Sequence, residues 1–223
     1  MSAPRFRLDP LSESFVRLID IMFGLTITQG FVIYRDNITT PSLSVENISL
    51  LLVYSTIILS WIGYHGSILR YPYNKSRWSR IRLLLDIVIL VLYSYLVFVS
   101  RDLSKVFLGI SIVFLVYAIN GIVRILEWGR DRKVSAPWLS AIFMVIFLFF
   151  CFNNRWLEDF LAPVYVEWLL LVLGLVLVFV YRLIRGSSKI GYPTLVVVGV
   201  DVDGVLAEQV PPVLQKLQSK GIG

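Results

Sequence analysis

Three stretches of the 223-residue chain carry side chains from which chemistry could be built. Near the C-terminal end, Asp201-x-Asp203-Gly204 places two carboxylates where a valine-rich strand would end, a position at which a metal ion and a phosphoryl group can meet. Near the N-terminal end, Asp20 sits inside the apolar run RLIDIMFGLTITQGF (17–31), together with two threonines, a glutamine and two glycines. The third stretch is SWIGYHGSILRY (60–71), with Trp61, Tyr64 and His65, the only histidine. No set of His, Cys and carboxylates around His65 has the spacing of a metal site, so neither a metal nor another cofactor is expected. Cys151 is the single cysteine, which excludes an internal disulfide.

The elements that position these residues follow from composition. Hydrophobic residues make up 57% of the chain, charged residues only 16%, and mean hydropathy is +0.77. That excess is too large for one water-soluble core and points to an integral, multi-pass membrane protein. Six segments are long and apolar enough to cross a bilayer: 15–34, 47–69, 83–100, 105–126, 136–153 and 163–183. Asp9-Pro10 suits a helix start, and Ser44 suits the cap of the second helix. No cleavable signal peptide is expected, because the polar MSAPRFRLDPLSES is not followed by a short apolar core with a small-residue cleavage site.

Lysine and arginine set the orientation. Arg5, Arg7, Arg17, Arg70, Lys75, Arg77, Arg80, Arg82, Arg124, Arg130, Arg132, Lys133, Arg182, Arg185 and Lys189 give 15 on one side, against four (Arg35, Arg101, Lys105 and Arg155) on the other. Both termini are therefore expected in the cytoplasm, and the net charge of +6 reads as cytoplasmic loops, not as a nucleic-acid surface. After Arg185 the chain changes character. GSSKIGYPT is a linker, and TLVVVGVDVDGVLAEQVPPVLQKLQSKGIG reads as a strand, a turn and a short helix, too small for a core of its own. The expected division is a six-helix transmembrane domain (1–185), a linker (186–194) and a cytoplasmic tail (195–223).

The polarity of the first helix is its distinguishing property. Asp20 lies one to two turns inside the cytoplasmic end, where it can pair with Arg17 three residues earlier or join a buried network. Ile21, Leu25, Thr28 and Val32 fall roughly on one face, a stripe that serves equally as ordinary packing or as the aliphatic lining of a pore that gates by excluding water. His65 and Trp61 lie near the cytoplasmic end of the second helix. An antiparallel pair joined by a short loop brings them to the depth of Asp20, so Arg17, Asp20, Trp61 and His65 are expected to form a structural network at the cytoplasmic mouth.

These residues resemble the transmembrane protein 175 family of endolysosomal and prokaryotic potassium-permeable channels. In that family an arginine-rich start of the first helix leads to Phe-Ser-Asp and an aliphatic stretch with a threonine, and the second helix commonly ends in Trp-x-x-His-His. Here Asp20, Phe23 and Thr28 keep that spacing, while Trp61 and His65 match the tryptophan and second histidine, with Tyr64 at the first. Leu18-Ile19 stands where the family has Phe-Ser, and Ile21, Met22 and Leu25 replace small residues. Over residues 10–185 the resemblance implies a homotetramer conducting potassium or other monovalent cations, with four first helices around the pore, Leu25 at the constriction and Thr28 in a nearby polar layer. The plasma membrane of a prokaryote is the expected location, and no enzymatic activity is expected.

Separately, Asp201-x-Asp203-Gly204-Val205-Leu206 resembles the first motif of haloacid-dehalogenase-like phosphatases. The chain ends about one helix later, before the remaining residues of such a site, so catalysis by this tail is not expected. Opposed to the channel is a non-conducting membrane anchor or sensor subunit whose cytoplasmic tail binds a partner.

Overall fold

The computed structural model describes residues 10–35, 39, 44–69, 71–129, 137–158 and 163–187. Two units divide the chain, Met1–Ser188 and Lys189–Gly223. The expected strand–turn–helix tail, with Asp201 and Asp203, lies outside the described residues, as does Asp9.

Among the described residues the protein is all-helical, with α1 (Pro10–Ile33), α2 (Val45–Ile68), α3 (Arg77–Phe98), α4 (Leu103–Trp128), α5 (Pro137–Glu158) and α6 (Pro163–Ser187). Five of these are long and apolar enough to span a bilayer, and α5 contributes the shorter apolar stretch Pro137–Phe152. This is the architecture of an integral, multi-pass membrane protein.

Local chemistry sets the helix starts. Ser44 caps α2 as expected, its hydroxyl accepting the Asn47 N–H at 3.3 Å. Helix α3 begins at Arg77, six residues before the expected 83, because Ser76 provides a cap by accepting the Ser79 N–H at 3.0 Å. The basic turn RWSRIR thereby becomes helix, and Arg82, counted in the sequence among loop cations, enters the protein interior. Asp102 caps α4 through the Lys105 N–H at 3.1 Å. Only Val99–Asp102 separates α3 from α4, so the two form a tight antiparallel hairpin.

Helix α4 is the centre of the bundle, packing most extensively on α5 and then on α3. Gly109 lets α3 approach, since a Cβ there would lie 2.6 Å from Leu96 Cδ2. On its other side Phe114 stacks on Phe147 (centroids 5.5 Å apart) and meets Tyr181 of α6 edge-on at 4.7 Å. Helix α2 packs on α6, and α1 lies chiefly against α3. Of the span in α4, 67% is buried within the chain, against 22% of the span in α1. Few residues of α1 are thus buried within the chain.

Candidate functional site

Helix α1 separates its polar residues into two faces. Thr26 turns inward: its hydroxyl donates to the Met22 carbonyl at 2.9 Å and lies 3.3 Å from the Ser94 hydroxyl of α3. Gly30 also faces inward, against α2. A Cβ there would sit 2.0 Å from the Tyr54 hydroxyl, which donates to the Ile27 carbonyl at 3.2 Å. Outward lie Ile21, Leu25, Thr28 and Val32, all exposed in the chain, with Leu25 at 64%. Gly24 shares that outer side, with nothing within 4 Å of where its Cβ would be. The expected stripe is thus one continuous face, and among the described residues no helix covers it.

At the end of α1 near its start, three of the four expected network residues come together. Asp20 Oδ1 accepts the Trp61 indole N–H at 3.0 Å and lies 2.9 Å from His65 Nε2. Trp61 and His65, one turn apart on α2, meet edge-to-face at 5.4 Å. The site is half-buried, with the Asp20 side chain 36% exposed. Arg17 does not join it. Its guanidinium pairs with Glu13 Oε1 at 2.6 Å on the helix surface. Glu13 precedes Arg17 by four residues and has the longer acidic side chain, the favourable order for a helical ion pair, whereas the short Asp20 is turned toward α2.

A second, more deeply buried network lies between α3, α4 and the turn before α3. Asp86 accepts the Tyr73 hydroxyl on Oδ2 at 2.6 Å and the Asn120 amide on Oδ1 at 2.8 Å. Arg124 Nε donates to the Asn120 oxygen at 3.2 Å. One turn away Arg82 pairs with Glu127 at 2.8 Å, both side chains essentially without solvent access. The same guanidinium donates to the Tyr71 carbonyl and lies 4.6 Å from the centroid of the Tyr73 ring. Burial, with the negative charge of Asp86 beside it, pushes the Tyr73 hydroxyl well above its ordinary pKa, so it remains a hydrogen-bond donor. Tyr64 connects the two networks: its hydroxyl is 3.4 Å from that of Tyr73, and its ring meets that of His65 at 5.6 Å.

No protein-family model matches the chain, and no curated protein or solved structure does either. The functional reading therefore rests on this geometry and on the sequence itself.

Sequence reasoning missed the second network, although its signal is present. Asn120, Arg124 and Glu127 recur at i, i+4 and i+7 on α4, and Arg82 and Asp86 at i and i+4 on α3. Such stripes in apolar helices must face each other or water. Chemically, both networks accept and donate hydrogen bonds that join neighbouring helices. Among the described residues, no group of three or more His, Cys, Asp or Glu lies close enough to hold a metal ion.

Proposed function

We propose that this chain is one subunit of an oligomeric cation channel in which the outer face of α1 lines the conduction path. The observation that carries the reading is the open stripe Ile21–Leu25–Thr28–Val32, exposed beside Gly24 while the other side of the helix is packed. A lipid-facing helix has no need to keep Thr28 and Gly24 outward, whereas a helix around an axis gains a polar lining and close approach between copies. Aromatic packing among α4, α5 and α6 fills that part of the subunit, which favours an axis between copies over a path through one chain.

The proposed assembly is a homotetramer with six spans per subunit and both termini cytoplasmic, in the plasma membrane of a prokaryote. It selects potassium by an aliphatic constriction at Leu25 and has no enzymatic activity of its own. Resemblance to the transmembrane protein 175 family supports the ion and the stoichiometry, and the lysine and arginine asymmetry supports the topology. Asp20, Trp61 and His65 brace α1 against α2 at the cytoplasmic mouth.

The test is potassium and sodium flux into liposomes, measured per folded oligomer. Leu25→Ala is expected to increase leak or weaken ion selection, and Leu25→Asn to act in the same direction by wetting the constriction. Unchanged flux in both variants removes α1 from the path. A parent chain that conducts nothing favours the non-conducting anchor or sensor whose tail binds a partner. Cysteines at positions 2 and 221 should both label from the cytoplasmic side, and labelling from opposite sides would overturn the six-span topology.

A further inference from the structure

A cleft of about 330 Å³ opens where the start of α1 meets the turn before α3, lined by Phe15, Asn74, Lys75, Ser79 and Arg80. Its polar lining supplies donors to an anion. Asn74 Oδ1 is engaged by the Ser76 N–H at 2.8 Å, which turns the amide NH₂ the other way. Lys75 and Arg80 are exposed, and among the described residues neither has an ion-pair partner. Among the described residues no carboxylate lines the cleft. Its frame is built in advance: the Ser79 hydroxyl accepts the Asn74 N–H at 2.9 Å, and Phe15 is held edge-on against the Tyr73 ring at 5.8 Å.

Position narrows the class of ligand. The spans of α1 and α3 begin at Glu13 and Arg77, so the cleft lies where two spans leave the apolar layer. Trp78, 37% exposed, lies in the first turn of α3 with Ser79 and Arg80, an anchor suited to the membrane boundary. A fixed phenyl ring next to two cations and an amide matches an amphiphile with a phosphate at the polar end and glycerol and acyl carbon below. Free phosphate would use the cations and gain nothing from Phe15.

We infer that this cleft binds the phosphate headgroup of an anionic membrane lipid, with Lys75 and Arg80 on the phosphate, Asn74 as a further donor and Phe15 against the glycerol–acyl region. A basic pocket between helices at the membrane surface is the setting in which such headgroups are held. The inference rests on the membrane architecture and not on conduction, so it stands or falls separately from the channel reading.

Full-length protein in mild detergent, mixed with phosphatidylglycerol or phosphatidylcholine, provides the test by native mass spectrometry. The parent should retain phosphatidylglycerol preferentially. Each cation near a membrane surface contributes roughly fivefold in affinity, so Lys75→Gln with Arg80→Gln should lower retention ~25-fold. Lys75→Arg with Arg80→Lys should keep it, which separates loss of charge from loss of fold. Arg17→Gln removes one charge from the same end of the bundle but not from the cleft, and should leave retention unchanged. Equal retention of both lipids by the parent, or an unchanged preference in the doubly neutralised protein, would overturn the site. So would an equal loss in Arg17→Gln, which would mean diffuse surface charge. Inorganic phosphate displacing phosphatidylglycerol at comparable concentration would overturn the lipid as the source of the anion.

Discussion

Asp20 and Asp86 are carboxylates on helices that pack against each other, α1 and α3, and the protein accommodates them in opposite ways. Asp20 keeps 36% of its side chain exposed and offers a single oxygen to both Trp61 and His65. Asp86 is buried, each of its oxygens has its own donor, and Arg124 reaches it through Asn120. Water can compensate for losses at the first site. At the second, every donor and acceptor must come from the chain, so the arrangement fixes how α3, α4 and the Tyr71–Tyr73 turn fit together. The Asp20 site ties α1 to α2 through one shared oxygen, whereas the Asp86 region serves as a frame.

The strongest way to break this contrast is to strand a charge in the frame. Glu127→Ala leaves Arg82 buried without its carboxylate and should cost about 3–5 kcal/mol, seen as a large fall in thermal midpoint in detergent or as failure to isolate folded protein. A second comparison uses the two glycines of α1. Gly30→Ala pushes the Tyr54 hydroxyl away from the Ile27 carbonyl and should cost about 1–3 kcal/mol, while Gly24→Ala should leave the stability of the isolated subunit within about 0.5 kcal/mol. If the two alanines behave alike, α1 is not divided into a packed and an open face. The smallest effect belongs to Asp20. Asp20→Ala should cost about 1 kcal/mol by freeing the Trp61 N–H, and Asp20→Asn less, because the amide oxygen still accepts it. A loss at Asp20 as large as that at Glu127 would remove the distinction between the two sites.

Much of this was legible in the sequence, and the reasons differ by region. Apolar length alone located the helices, and Ser44 announced the start of α2. The meeting of Asp20 with Trp61 and His65 followed from their depths on consecutive antiparallel helices joined by a short loop. Arg17 was misassigned because three-residue spacing to Asp20 seemed sufficient, whereas side-chain length and direction favoured Glu13. Arg82 and Arg124 were hidden by their usefulness as topology signals. Read as loop cations they carry no sign of the carboxylates they face, and only the extension of α3 to Arg77 brings Arg82 opposite Glu127. The two-faced division of α1 needed the structure, since periodicity places Thr28 on a stripe without saying what covers it.

The short Val99–Asp102 connection has a consequence for how the protein is made. Taken singly, α3 carries Arg82 and Asp86 near its start, and α4 carries Arg124 and Glu127 near its end, each an opposite-charge pair on one helix face. Joined as a hairpin, the two segments exchange partners across the seam, where Arg82 meets Glu127 and Asp86 meets Asn120. Residues 77–128 should therefore reach their final packing together, since the buried partners of each helix lie on the other.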